Sequence, residues 1–347
     1  MVVLGSDSHK HTHTIVAVDS NGAELSHKTV KATPGGHLEA LRWAEQWQER
    51  TWALEDCRHL SRRLESDLLR AGECVVRVPP KLMAGARRSA REPGKSDPID
   101  ALAVARARLR EPDLPMAQLD GAHRELRLLV DHREDLVNER TRAQNRLLWH
   151  LHELEPGWRL EPGSLSTLKT LDRVLERIVD DDGVVADICR ELVADIRALT
   201  IRVNALQRRI AKAVAPLVPT LLALVGCGSL TAAKIVGEAA GASRFRSRAA
   251  FARHNGSAPI PVWSGNTERH RLNRGGNRQL NAALHRIAVT QMRNHGPARD
   301  YLERMAAGDT KTEAIRCLRR RLSDEVYSRL LSDERARPAV DTLEEAA

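Results

Sequence analysis

Residues 2–31 read VVLGSDSHKHTHTIVAVDSNGAELSHKTVK, and how this stretch folds decides the architecture of the N-terminal part of the chain. Val2–Ser6 and Thr12–Val18 are short β-rich runs. Asp19-Ser20-Asn21-Gly22 after them is a turn signal, and Glu24–Lys31 supplies a third strand. Outward from this hairpin-linked set, Pro34-Gly35-Gly36 punctuates the chain and His37–Gln48 has helical spacing. Thr51–Glu55 reads as a short strand, Arg58–Arg70 as a helix, and Glu73–Val78 as a strand ended by Pro79-Pro80. Three hairpin-linked strands, then helix, strand, helix and strand, is the order of an RNase H-like α/β fold.

That order gives the acids a meaning. Asp7 lies at the end of the first strand and Glu55 at the end of the fourth, so neighbouring strands of one sheet would bring both to the same edge. In Lys95-Ser96-Asp97-Pro98-Ile99-Asp100-Ala101 a helix begins, and Asp97 and Asp100, three apart, point to one face of its first turn. Taken alone the pair also reads as a helix start, with Asp97 as N-cap, Pro98 at the first helical position and Asp100 imitating a capping box. Two-metal phosphoryl transfer needs such a cluster: carboxylates bridge two Mg²⁺ ions roughly 3.5–4 Å apart, which neutralise the developing charge. His9, His11 and His13 alternate and would share a face of an extended strand. We read them as ordinary histidines around a turn rather than as a transition-metal site.

Downstream the period changes. Residues 121–154 read as one long helix, about 50 Å at 1.5 Å per residue, stopped by Pro156-Gly157. A second amphipathic stretch runs from Val184 to Val214, and the two suggest an antiparallel coiled-coil arm spanning 116–215. Trp158–Gly183 between them, with Pro162-Gly163 and the run Asp180-Asp181-Asp182, reads as an irregular tip. Pro216 and Pro219 open a third, mostly helical region, 216–331, and the polar residues 332–347 read as a disordered tail.

The third region carries the charge. Between Ala239 and Arg299 there are eleven arginines and one acid, Glu268, a stretch that attracts a polyanion. Arginine suits planar, bidentate contacts with phosphate and guanine. Leu221–Val225, Gly226-Cys227-Gly228 and Ser229–Glu238 read as a helix-hairpin-helix, with Gly226 and Gly228 in the turn, Lys234 on the second helix, and free N–H groups aimed at a DNA phosphate. Arg244, Arg246 and Arg248 come next, then a loop holding Ser257 and Ser264-Gly265, then Arg269, Arg271, Arg274, Asn277 and Arg278. A hydroxyl among cations has the access and the phosphate-holding neighbours that a nucleophile requires. The residues alone do not choose between Ser257 and Ser264.

The bulk numbers are compatible with this reading. The 347 residues suggest two or three domains. No apolar run reaches the roughly 18 residues of a membrane span, and the start has no secretion-signal pattern, so a soluble cytoplasmic protein is expected. Cys57, Cys74, Cys189, Cys227 and Cys317 are scattered and odd in number, which argues against a zinc ribbon and a disulfide framework.

The ordered set of motifs resembles the DEDD transposases of insertion sequences, a family described as bridge-RNA-guided recombinases. The resemblance covers about 1–325. Asp7-Ser8-His9-Lys10 is similar to the family's Asp-x-His-Lys, and Glu55 follows a strand as the family's glutamate does. Lys95 to Ala101 matches Lys-x-Asp-x-x-Asp-Ala, and the Ser264-Gly265 to Asn277 block comes in the family's order. The resemblance implies a RuvC-like domain over 1–115 that binds Mg²⁺, or Mn²⁺ in its place, through Asp7, Glu55, Asp97 and Asp100. It implies a serine nucleophile, placed at Ser264, with the acidic domain of another subunit of a dimer or tetramer completing the site. It further implies as partners donor and target DNA and a structured non-coding bridge RNA, gripped by the arm and the first domain, with Lys95 among the nucleic-acid contacts.

Overall fold

A computed structural model describes residues 1–57, 59–80, 82–83, 96–112, 114, 116–117, 121–294, 296–306 and 310–337. The chain divides into two compact units, Met1–Asp120 and Gly121–Ala347.

The first unit is built on a five-stranded sheet of β1 (Val2–Ser8), β2 (Thr12–Val18), β3 (Glu24–Lys31), β4 (Arg50–Glu55) and β5 (Val75–Val78), in the order β3-β2-β1-β4-β5. β1 pairs antiparallel with β2, and β2 with β3, while β4 joins β1 and β5 in parallel. The predicted strands are all present, and β1 extends two residues past Ser6. The turn at Asp19 forms as its sequence requires: the Asp19 carboxylate accepts from the N–H groups of Asn21 and Ala23, and Gly22 takes a φ of 81°.

Alternation along the central strands sends side chains to two layers. Leu4, Ile15, Ala17, Trp52 and Leu54 pack with α1 (Pro34–Ala44) and α2 (Arg62–Arg70). Val3, Val16, Val18, Ala53 and Val76 pack with α3 (Asp97–Arg110). The first helix begins at Pro34, earlier than its apolar period suggested, because Thr33 caps it by accepting from Gly36 N–H and Pro34 sits in its first turn. Gly36 is required there, since a Cβ would lie 2.0 Å from the Lys31 carbonyl oxygen. Arg58, the predicted start of the second helix, lies outside the described residues, and that helix begins at Arg62.

In the second unit α4 (Ala122–Leu154) and α6 (Val184–Val214) run antiparallel. Leu126 and Val130 share a core with Ile210 and Val214 at one end, and Leu147 and Leu151 share another with Cys189 and Val193 at the far end. The segment read as an irregular tip is partly helical. A 3₁₀ turn at Ser164–Ser166 leads into α5 (Leu168–Arg177), whose Leu171 and Val174 complete the far core.

The helices α7 (Pro219–Leu222), α8 (Ser229–Ala239), α9 (Arg248–His254), α10 (Arg278–Asn294), α11 (Gly296–Ala306) and α12 (Lys311–Ala336) pack on the near end of the pair, and a two-stranded hairpin of β6 (Ile260–Ser264) and β7 (Thr267–Arg271) lies between α9 and α10 in the chain. Residues 332–337 are not a frayed tail. α12 continues to Ala336, Asp333 accepts from the backbone N–H groups of Thr220 and Leu221, and Glu334 accepts from those of Ala242 and Ser243. The rest of the expected tail, 338–347, lies outside the described residues. Among the described residues no helix is long and apolar enough to cross a membrane. Of the five cysteines, all free, Cys189 and Cys227 are buried and Cys74 is exposed.

Candidate metal centre and serine hairpin

Asp7 is carried to its place by the sheet. Gly5 and Ala53 are register partners, and Asp7 and Glu55 lie two residues on, near the carboxyl ends of the same two parallel strands; among the described residues Glu55 and Asp100 are not in the group whose ligand atoms converge with Asp7. Gly5 lets the helix in: a Cβ there would meet the Ala101 carbonyl oxygen at 2.3 Å and the Ala105 nitrogen at 2.5 Å. That close approach delivers the first turn of α3, with Asp97 and Asp100, to the edge where Asp7 stands.

His9 closes the group. Its Nε2 lies 3.2 Å from Asp7 Oδ2 and 3.2 Å from Asp97 Oδ1. Asp7, His9 and Asp97 each offer one ligand atom, and these atoms lie within 4.8 Å of one another. Burial raises the Asp7 carboxyl above its ordinary range; His9 opposes the shift, while the charges of Asp100 and Asp97 add to it. A buried carboxylate crowded by two others is relieved by a divalent cation, so the residues fit one. Sequence alternation groups His9 with two ordinary histidines; its spacing from Asp7 in Asp7-Ser8-His9-Lys10 is the signal that separates it. His13 turns inward instead, against His37 with ring centroids 5.3 Å apart, and burial pushes it down to about 4. Lys95 lies outside the described residues.

In the second unit, the predicted basic loop is a hairpin with a pinched neck. Gly256 and Gly276 both take positive φ, 74° and 83°. A Cβ on Gly276 would lie 2.6 Å from the Gly256 nitrogen, and one on Gly256 would lie 2.4 Å from the Gly275 carbonyl oxygen. The Asn255-Gly256 and Gly275-Gly276 segments thus touch backbone to backbone, which only glycines permit. Asn255, fully buried, donates to Ser323 Oγ at 2.8 Å and so ties the neck to α12.

From this neck β6 and β7 project, and every residue from Trp263 to Leu272 is exposed. Ser264 pairs with Thr267, Val262 with Arg269 and Ile260 with Arg271, so Ser264, Arg269 and Arg271 share one face. Trp263, 67% exposed, lies on the other with Glu268 and His270. The two serines that the sequence left open differ in access: Ser264 is exposed at the turn, whereas the Ser257 hydroxyl is shut in without a partner.

Other expected nucleic-acid contacts are distributed unevenly. Arg246, Arg248, Arg274 and Arg278 are exposed, and Arg244 is half-buried over the Phe245 ring. Asn277 is consumed structurally: its Oδ1 accepts from Gln279 and Leu280 N–H groups at the start of α10, and its Nδ2 donates to Glu238. Lys234 does not reach a phosphate. It is 2% exposed, and its ammonium is held by Asp131 at 3.2 Å and Glu134 at 2.8 Å. The helix before the Gly226–Gly228 turn is a single turn, Pro219–Leu222, and Gly226, with φ of 87°, lies against the backbone of α10.

Similarity to known proteins falls in two stretches, the first of which runs past Asp120 into α4. A DEDD-type transposase family profile matches residues 4–156, and the profile of the transposase IS116/IS110/IS902 family matches residues 218–303. An uncharacterized 44.8 kDa protein of insertion element IS116 from Streptomyces clavuligerus is 28% identical over 385 aligned positions, covering 96% of this chain and 95% of its own. The uncharacterized 43.6 kDa protein of IS110 from Streptomyces coelicolor is 30% identical, covering 66% of this chain and 69% of its own. Among solved structures, Thermus thermophilus RuvC in complex with a Holliday junction substrate is similar at 18% identity with a TM-score of 0.27, covering 34% of this chain and 99% of that one.

Proposed function

The chain belongs to the IS110/IS116 transposase family, and from that premise we propose that it cuts and rejoins DNA through two chemical centres, the acidic cluster of its first unit and Ser264 of its second. The observation that carries the reading is the convergence of Asp7, His9 and Asp97 on one point at the carboxyl edge of the sheet, with Asp100 on the same helical turn.

In this reading Asp7, Asp97, Asp100 and Glu55 hold one or two Mg²⁺ ions, with Mn²⁺ able to substitute, and His9 contributes a nitrogen ligand or orients the two aspartates. The bound cation would supply charge neutralisation at the phosphate under attack. Arg269 and Arg271, on the face of Ser264, hold the non-bridging oxygens of a phosphodiester. The Ser264 hydroxyl gives up its proton and its oxygen bonds to phosphorus; the bond from phosphorus to the departing sugar oxygen breaks, and that oxygen takes up a proton. The product is a phosphoserine ester, which the hydroxyl of an incoming strand displaces in the reverse sense. Arg246, Arg248, Arg274 and Arg278 supply further backbone contacts, and the Gly226–Gly228 turn ahead of α8 is the place for another. The acidic centre of one subunit serves the serine of another in a dimer or tetramer. A structured bridge RNA, held by the helical pair and the first unit, selects donor and target by base pairing.

A strand-transfer assay tests this. Purified protein, flanking-region RNA, donor and target DNA are combined with and without Mg²⁺, for wild type, Asp97→Ala and Ser264→Ala. Joined product in wild type alone, with DNA trapped covalently on protein only where Ser264 is present, is the expected outcome. Cleavage that survives Ser264→Ala without a protein–DNA adduct leaves a plain metal-dependent nuclease. Product formed equally without RNA removes the guided step.

A further inference from the structure

The C-terminal unit holds a groove between α10 and α12 that the serine hairpin does not account for. It encloses about 670 Å³. Arg274 lines it from the foot of the hairpin, Arg316 and Arg319 from α12, and Arg278, Asn281 and His285 from α10. No carboxylate lines it among the described residues. Gly256 and Gly275 of the hairpin neck form part of its wall.

Four guanidinium groups line one concavity; Arg278 donates from Nη1 to the Arg274 carbonyl at 3.1 Å and the adjacent Glu313 attracts Arg316, so their charge is offset only in part. Arg319 donates from Nη1 to Asn281 Oδ1 at 2.8 Å, while its Nε is shut away from water without a partner. Burial and the neighbouring Arg316 push the Arg319 guanidinium below its ordinary range. Two cations elsewhere in the unit have carboxylate partners instead: Lys234 has Asp131 and Glu134, and Arg320 has Asp324. The described lining of the groove is therefore net positive, and with the partly desolvated Arg319 guanidinium at its edge it suits an anion.

We propose that this groove binds the phosphodiester backbone of DNA, and that Arg316 and Arg319 are phosphate-binding residues that guide a strand towards the hairpin carrying Ser264. Continuity favours DNA over RNA. The groove opens at Arg274, three residues after Arg271, on the chain segment that descends directly from the serine-bearing face. The identity of the strand rests on the proposed function, but the binding itself requires neither chemical centre.

The test is equilibrium binding by the full-length protein in EDTA, so that chemistry is silent. Fluorescein-labelled DNA and RNA of one sequence are titrated over a range of salt concentrations with wild type, Arg316→Gln, Arg316→Lys, Arg278→Gln and, as a control outside the groove, Arg304→Gln. Arg316→Gln and Arg278→Gln are each expected to weaken DNA binding about tenfold. Each should also lower the slope of log affinity against log salt by about one. Arg316→Lys regains most of the affinity, Arg304→Gln changes little, and the loss on RNA is smaller than on DNA. Because Arg316 is half-buried, the exposed Arg278 provides the reading should Arg316→Gln unfold. DNA affinity and salt slope unchanged in Arg278→Gln and in folded Arg316→Gln overturn the proposal, as does an equal or larger loss on RNA. Loss of strand transfer in Ser264→Ala with this binding pattern intact would separate failure of the serine chemistry from failure of the groove.

Discussion

Single atoms decide both candidate centres. The absence of a Cβ at Gly5 admits α3, so Gly5→Ala forces the helix off the sheet by a contact with backbone that cannot yield. We expect a loss of about 1–3 kcal/mol, the usual cost of overpacking, read as a lowered urea midpoint, together with lost metal-dependent cleavage. Gly276→Ala pairs a positive φ with a 2.6 Å backbone clash and should unseat the hairpin neck at a similar cost. His9, between Asp7 and Asp97, is expected to matter as a ligand or orienting group does: His9→Ala lowers cleavage about 10- to 100-fold and raises the metal concentration for half-maximal rate. An unchanged metal titration in that variant argues against its place in the centre.

Two histidines, His13 buried and His254 half-buried, set an acid limit on stability. Burial pushes His13 from 6.5 down to about 4, with His37 adding to it, and pushes His254 from 6.5 down to about 4, with Arg244 adding to it. Between those values the unfolded chain takes up protons that the folded chain refuses. Stability is therefore complete above pH 6.5 and is lost as the pH falls towards 4. Urea midpoints measured between pH 7.5 and 4 should decline over this window, and the decline should be shallower in His13→Asn.

At the scale of elements, two segments that look expendable carry packing. α5 closes the far end of the helical pair through Leu171, fully buried, and Leu171→Ala should cost about 2–5 kcal/mol. The end of α12 works through polar groups. Asp333 is 2% exposed and satisfies two backbone N–H groups at the start of α7, so Asp333→Ala leaves both buried donors without an acceptor. The expected loss is about 1–3 kcal/mol, seen in thermal or urea unfolding; a neutral result would restore the view of these residues as a tail.

For the molecule as a whole, the cores are separate. The sheet and its flanking helices enclose two clusters within the first unit, and the helical pair and the C-terminal helices enclose others within the second. A ligand of one unit should stabilise that unit first. At a hundredfold excess over its dissociation constant, a divalent cation contributes about 2.7 kcal/mol to whatever binds it. Hydrogen exchange with and without Mn²⁺ should show protection concentrated in β1, β4 and α3. Uniform protection along the chain, or none, would count against a metal centre at Asp7.

Local pattern was sufficient for the five strands, the two long helices and the Asp19 turn, because each depends on periodicity, β-branched runs and turn residues that act over a few positions. It also placed Asp7 and Glu55 near strand ends and Asp97 and Asp100 in a first helical turn, since these are local features. The helix at Leu168–Arg177 was legible too, in Leu168, Leu171, Val174 and Ile178, but Pro162-Gly163 and the aspartate run drew the reading towards a loop. Tertiary structure alone decided the rest. Lys234 is basic in sequence yet neutralised by Asp131 and Glu134, acids a hundred positions away or more, and only the fold reveals which charges remain uncompensated. Ser257 and Ser264 stand in similar local company, and their difference in access arises from a neck closed by glycines twenty residues apart. His9 joined the acidic centre because β1 runs two residues beyond the apolar pattern and α3 settles on Gly5. Short-range propensity can place such groups on an element, but burial and charge pairing between distant segments determine whether they face solvent, each other or a substrate.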